Sequence, residues 1–487
     1  MDASEVARLR EALQQASFTV DAVHELLGPV AHGALGREQV VPGLRATTGG
    51  SALETLVRVF LLGTTEPAEA VAAAVRPLGP SAALAAGLLE SDGDGLRAAL
   101  EIRPYGDDRS SWWVVSDLGT DVRPGPLRRD HVLGIGGASV TLPQWTVRHD
   151  VESALDLGTG CGVQALHLSA HAAAVTATDR NHRAVRLAAL TAALNGLDWD
   201  LLVGDLLQPV RDRMFDLVVS NPPFVVGPAS RGYAYRDSGL AGDAVSERLV
   251  REAPAALNDG GWCQLLANWV HVRGEPWDER VHRWLAGNRC DTWVVQREVQ
   301  DPAEYVEMWL HDSGEASGAA YRQRYAEWLD WFVANDVDAV GFGVVSMRRS
   351  GRDQPDVVVE ELRQPVAPPL GPHVTARFAR VDWLRDADLL DARLRAAADV
   401  RLHQVASPGP DGWAVGMQRL VLDSGLGWSG DIDPIGAALV GGANGDVRLR
   451  DQLELLAIAF DIDLEALTNG ALPAVRHLVE RGFLEPG

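Results

Sequence analysis

The stretch "LVVSNPPFVV", Leu217 to Val226, runs from a β-branched apolar segment straight into an amide, two prolines and an aromatic ring. Each proline fixes its own φ and pushes the residue before it into an extended conformation, so Asn221, Pro222 and Pro223 form a nearly rigid arch. The amide oxygen of Asn221 and the carbonyl of Pro222 are then two hydrogen-bond acceptors in fixed relation, and a planar NH2 group carries two donors to match them. Such a nitrogen is a poor nucleophile because its lone pair is delocalised. Holding both N–H bonds aims it at an electrophile and helps it pyramidalise, while Phe224 offers a flat face to stack on.

A second cluster stands upstream. In "ALDLGTGCGVQALHLSAH", Asp156 and three alternating glycines, Gly158, Gly160 and Gly162, fall where a strand turns into a helix, and glycine lets backbone bend sharply and approach a ligand. In "VTATDRN", Asp179 closes the next strand about twenty residues on, where a carboxylate accepts two ribose hydroxyls. A dinucleotide site has the same outline, but its pattern is G-x-G-x-x-G, whereas this chain reads G-T-G-C-G. This arrangement resembles motif I of the class I S-adenosylmethionine-dependent methyltransferases. The resemblance implies S-adenosyl-L-methionine as cofactor, with Asp179 on the ribose and Asp205, in "LVGDLLQP", on the adenine amino group; a turn or cap role for Asp205 stays open. It adds Thr159, Arg180, Leu206 and Asn221 to the cofactor-binding set, and leaves Asp156 either orienting the loop or meeting the methionine ammonium. "NPPF" is similar to the (Asn/Asp/Ser)-Pro-Pro-(Tyr/Phe/Trp) motif of methyltransferases that act on amide or exocyclic amino nitrogens, which makes Asn221, Pro222, Pro223 and Phe224 the catalytic set. No metal is implied.

These residues need a sheet to hold them. Residues 151–348 alternate strand and helix, with strands expected near Ala154–Gly158, Ala174–Thr178, Leu201–Val203, Asp216–Ser220, Trp262–Leu266, Thr292–Gln296 and Ala339–Met347. The fold class is α/β, a Rossmann-like core of seven strands, with helical, winged-helix-like domains on both sides. Boundaries are set at 1–110 for an N-terminal winged-helix-like domain, 111–150 for a β-rich bridge, 151–362 for the methyltransferase domain with a helical insertion at about 297–337, 363–373 for a Pro-rich linker, and 374–487 for an α+β C-terminal domain. "GIGG", Gly134 to Gly137, looks like a phosphate loop, but the β-branched residues after it predict strand rather than helix.

The chain has 487 residues and a formal charge of −23, with arginine as its only strong cation. This balance weighs against a general nucleic-acid binder. Three cysteines without a C-x-x-C pair suit a reducing cytosol, and no apolar run is long enough for a membrane span. A soluble, cytoplasmic protein is expected; oligomeric state is not legible. Two substrate branches remain. "ATDRNHRAVRLAALTAALNGL", "FDLVVSNPPF" and "YRDSGLAGDAVSERLV" look like the release-factor glutamine methyltransferases, which favours a protein side-chain amide as substrate. Phe224 in place of tyrosine is instead similar to the "small domain" methyltransferases of adenine or guanine amino groups in RNA or DNA. A non-catalytic cofactor-binding regulator is the alternative from another class. The tryptophans at 262, 269, 277, 284, 293, 309, 328 and 331 are expected mainly to pack the insertion onto the sheet, and His167 and His171 are read as structural rather than zinc ligands.

Overall fold

A computed structural model describes all residues except 121, 124–126, 229–239, 313–317 and 411. The chain forms two compact units: residues 1–143 with 149–362, and residues 144–148 with 363–487.

The first unit is organised by one eight-stranded sheet. Its strands are β1 (Val151–Leu157), β2 (Ala172–Asp179), β3 (Asp200–Val203), β4 (Phe215–Ser220), β5 (Leu257–Val272), β6 (Asp291–Gln300), β7 (Val337–Arg348) and β8 (Val357–Glu361), in the spatial order β8-β6-β7-β5-β4-β1-β2-β3. The pairs β3/β2, β2/β1, β1/β4 and β4/β5 are parallel, and β7 runs antiparallel to both β5 and β6. All seven expected strands are present. The eighth, β8, pairs in parallel with β6 at the sheet edge and was not anticipated.

Central parallel strands are covered on both faces, so they read as continuous apolar runs. Ala154, Leu155 and Leu157 of β1 and Leu217, Val218 and Val219 of β4 are accordingly buried. The helices between strands are α1 (Val163–Leu168), α2 (His182–Asn195), α3 (Ala244–Glu252) and α4 (Trp277–Leu285). Local chemistry sets the ends of α2: the Asn181 side chain accepts from the Arg183 N–H, and Gly196 adopts the left-handed conformation that closes the helix. At the C-terminal end of α2, Arg10 donates to the carbonyls of Ala193 and Leu194, a favourable place for a cation at the negative end of a helix.

Between β6 and β7 lie the helices α5 (Pro302–Asp312) and α6 (Ala319–Ala334). They share a core of Val225, Val226, Val270, Tyr305, Val306, Leu310, Trp328, Phe332, Val337 and Val340. Burial of Val306, Leu310 and Phe332 is worth roughly 1.5–3 kcal/mol each. Trp309, Trp328 and Trp331 belong to this packing, while Trp269 stacks on Trp277 with centroids 5.7 Å apart.

Ahead of the sheet, helices Ala52–Phe60, Ala68–Ala74 and Pro80–Ala85 accompany a small sheet ordered Glu66–Pro67, Gly95–Ala98, Leu89–Asp92. Among the described residues the segment expected to be a β-rich bridge is strand only at Ser111–Ser116, and "GIGG" is followed by a helix, Gly137–Trp145. Burial overrides β-propensity there: Leu142 and Trp145, three positions apart, are both buried, and the Thr141 hydroxyl turns back to the Gly137 carbonyl. Nor does Gly134 stand open to a ligand, since a Cβ on it would meet Glu101 and Ser116 at 2.8 Å.

In the second unit, strands Asn444–Arg448, Arg393–Ala396 and Leu484–Pro486 form a sheet beside helices Pro434–Gly442, Leu449–Phe460 and Leu464–Arg481, around Leu394, Leu453, Val475, Val479 and Leu484. The expected linker ends early, because Gly371, Pro372 and His373 already form the first turn of helix Gly371–Asp386. Among the described residues no helix is long and apolar enough to cross a membrane.

Candidate active site

The carboxyl ends of β1 and β4 are level: Leu157 pairs with Ser220, and the Ser220 hydroxyl donates to the Leu157 carbonyl at 2.8 Å. The two loops that leave these strands, Gly158–Gly162 and Asn221–Phe224, are therefore neighbours. A Cβ on Gly158 would lie 4.0 Å from the Asn221 carbonyl oxygen. In open α/β sheets ligands bind outside the strand carboxyl ends, where the strand order reverses.

Gly158, Gly160 and Gly162 have φ values of +79°, +56° and +92°. Their roles differ. A side chain on Gly160 would point into open space, whereas one on Gly162 would strike the Trp199 ring at 2.7 Å. Gly160 thus leaves room beside the loop, and Gly162 serves close packing. The N–H groups of Gly158 and Thr159 both donate to the Thr178 carbonyl, which folds the loop back over β2.

Asp156 is fully buried beneath this loop. Its Oδ2 accepts from the Thr159 hydroxyl at 2.6 Å and from the Ala165 N–H at 3.0 Å. Of the two roles left open for it, these bonds favour orientation of the loop, with Thr159, also buried, as its partner. The Oδ1 atom is buried with no hydrogen-bond partner among the described residues. Burial pushes the Asp156 carboxyl up to about 7, against the lowering effect of those two hydrogen bonds. Between roughly pH 4 and this value the folded chain therefore holds a proton that an unfolded aspartate has released, so this group makes stability fall as pH rises. Asp156→Asn keeps one acceptor oxygen and removes the titration. Its melting temperature is expected to fall less between about pH 5 and about pH 8 than that of the wild type, as read by thermal unfolding at the two pH values.

Asp179 ends β2 with its Oδ2 accepting from the Gly160 N–H at 2.9 Å and its Oδ1 from the Asn181 N–H at 2.8 Å. It links the glycine loop to the start of α2, and burial shifts its carboxyl upward. Arg180 follows it, half-buried. The Gly204 N–H donates to the Asp179 carbonyl, bringing the β3 loop alongside, where Leu206 takes a left-handed φ of +46°. Asp205 is exposed and accepts from Arg248 Nη1 of α3 at 3.1 Å, a partner that sequence spacing did not reveal. A carboxylate has further lone pairs, so this contact leaves room for an amino donor.

Within the arch, Pro222 and Phe224 are buried and Asn221 and Pro223 half-buried. The Phe224 N–H donates to the Pro222 carbonyl at 2.8 Å, so one lone pair of that carbonyl is engaged inside the arch and one remains. Among the described residues nothing hydrogen-bonds the Asn221 carboxamide. Beyond the arch, Tyr235–Gly239 of the loop resembling the glutamine methyltransferases lies outside the described residues. Among those described, no cluster of His, Cys, Asp and Glu could hold a metal; the ring of His167 bonds the Tyr105 hydroxyl, and His171 pairs with the His149 carbonyl.

Residues 137–273 match the family model "Methyltransferase small domain", and residues 15–99 and 375–486 match two domains of unknown function (DUF7059 and DUF7782). Among curated proteins, "Ribosomal RNA small subunit methyltransferase C" of Salmonella arizonae is 31% identical over 169 residues, covering 34% of this chain and 44% of that protein. The namesake from Salmonella choleraesuis is 31% identical over 163 residues, covering 32% and 43%. The chain thus spans less than half the length of these relatives. A 16S rRNA N2 methyltransferase of T. Thermophilus, solved with AdoMet and guanosine, overlaps at a TM-score of 0.29 with 16% identity over 53% of this chain and 57% of that one. A methyltransferase from Pyrococcus furiosus overlaps at 0.27 with 16% identity, over 44% and 81%. At such scores neither bears on the substrate. The matched span, the sheet order and the glycine loop together identify residues 137–273 as an S-adenosylmethionine-dependent methyltransferase domain of the class I fold.

Proposed function

We propose that this protein transfers a methyl group from S-adenosylmethionine to the exocyclic amino nitrogen of a purine in RNA. The observation that carries the reading is the Asn221 arch level with the glycine loop, its carboxamide unengaged among the described residues and its backbone against Gly158. An amide and a base amino group present the same planar NH2, so the arch alone does not choose between them. The named relatives act on ribosomal RNA, which supports the base over the glutamine side chain. Net charge weighed the other way, but it averages over the chain, whereas binding to RNA depends on where arginines meet phosphates.

The test is to incubate the full-length protein with methyl-radiolabelled S-adenosylmethionine and lysate from a strain lacking its gene, then treat half with ribonuclease and half with protease. Label lost only to ribonuclease is the expected result. Label lost only to protease would restore the amide reading.

A further inference from the structure

We infer that the helical pair α5–α6 is the element that positions the acceptor arch, and that Tyr305 is its anchoring residue. This rests on the reading of Asn221–Phe224 as the acceptor site. The family match ends at residue 273, so the pair lies outside the matched domain.

The arch enters from β4, where strand pairing and the Ser220 hydroxyl hold it. Its exit, Phe224 to Gly227, makes no strand pairing among the described residues; Val225 and Val226 pack among β5, β7 and the helical pair, and the helical pair adds specific contacts. The Trp309 ring meets Phe224 edge-on, with centroids 6.4 Å apart at 73°. The Tyr305 hydroxyl accepts from the Val226 N–H at 2.8 Å and from Asn268 Nδ2 of β5 at 3.2 Å. Trp328 covers Gly227, where a Cβ would lie 3.5 Å from its ring. Tyr305 is fully buried, so its hydroxyl satisfies a backbone N–H and a carboxamide that water does not reach. It ties the arch exit to the middle of the sheet through one oxygen atom. An acceptor nitrogen held at Asn221 is therefore placed from both ends of the arch, and misplacement of reacting atoms by about 1 Å can cost about a hundredfold in rate.

The variant is Tyr305→Phe in the full-length protein, which keeps the ring and its packing. Its control is Tyr325→Phe, because the Tyr325 hydroxyl bonds Glu307 on the exposed side of the same helical pair. Amide hydrogen exchange over residues 221–228 should quicken by about tenfold or more in Tyr305→Phe, with residues 157–163 and cofactor affinity unchanged. Turnover at saturating S-adenosylmethionine, on RNA from the strain lacking the gene, should fall by about tenfold to a hundredfold. Tyr325→Phe should change none of these. If Tyr305→Phe does not fold, Trp309→Phe carries the same expectation for turnover. Unchanged exchange across the arch overturns the anchor. Faster exchange with unchanged turnover overturns the positioning role and leaves Tyr305 a core residue. Exchange is read without any acceptor, so these failures are distinguishable from that of the acceptor reading itself, which unchanged turnover in Asn221→Ala would reveal.

Discussion

Replacing Asn221 by alanine should lower turnover at saturating cofactor by about a hundredfold or more while S-adenosylmethionine binds nearly as before. The carboxamide is half-buried at the mouth of β4, and nothing among the described residues uses it. Its proposed work is to hold one N–H of the acceptor while the remaining lone pair of the Pro222 carbonyl holds the other. Alanine preserves the arch, because the prolines and the Phe224 to Pro222 hydrogen bond set its shape. What disappears is one positioned acceptor, so the loss falls on the chemical step. Comparison of kcat with a cofactor titration checks this. Equal turnover in the two proteins would remove Asn221 from the reaction.

Asp179→Ala should act on the other substrate. By the resemblance its carboxylate receives two ribose hydroxyls, and hydrogen bonds to a charged group contribute about 1.5–3 kcal/mol each. Their joint loss raises the cofactor Kd by about a hundredfold or more. The Gly160 N–H also loses its acceptor, so the glycine loop loosens as well. Isothermal titration with S-adenosylmethionine reads the effect, and unaltered affinity would take Asp179 out of the site.

The two candidate loops are legible in the sequence because each is local. Glycine spacing, paired prolines and an acid at a strand end write their geometry into adjacent residues, and the strand–helix alternation around them fixed seven strands. Edge strand β8 escaped notice because it follows a polar turn after Arg348 and belongs to no strand–helix alternation. Helix Gly137–Trp145 runs against the strand preference of Val140 and Thr141, and the burial of Leu142 and Trp145 that accompanies it is a tertiary effect with no local signature. The partners of the site were hidden for the same reason. Tyr305 meets Val226 across 79 residues and Arg248 meets Asp205 across 43, and no periodicity records such contacts. Asp156 shows the reverse case: an acid in the expected motif whose complete burial no local pattern records.

The most direct test of the central claim is nucleoside analysis of RNA methylated by the purified protein. RNA from the strain lacking the gene is incubated with S-adenosylmethionine, digested to nucleosides and resolved by mass spectrometry beside a reaction containing Asn221→Ala. The account predicts a purine methylated on its exocyclic amino nitrogen, formed by the wild type and nearly absent with the variant. A methyl group on a ribose oxygen or a ring carbon, or equal product from the variant, would contradict it.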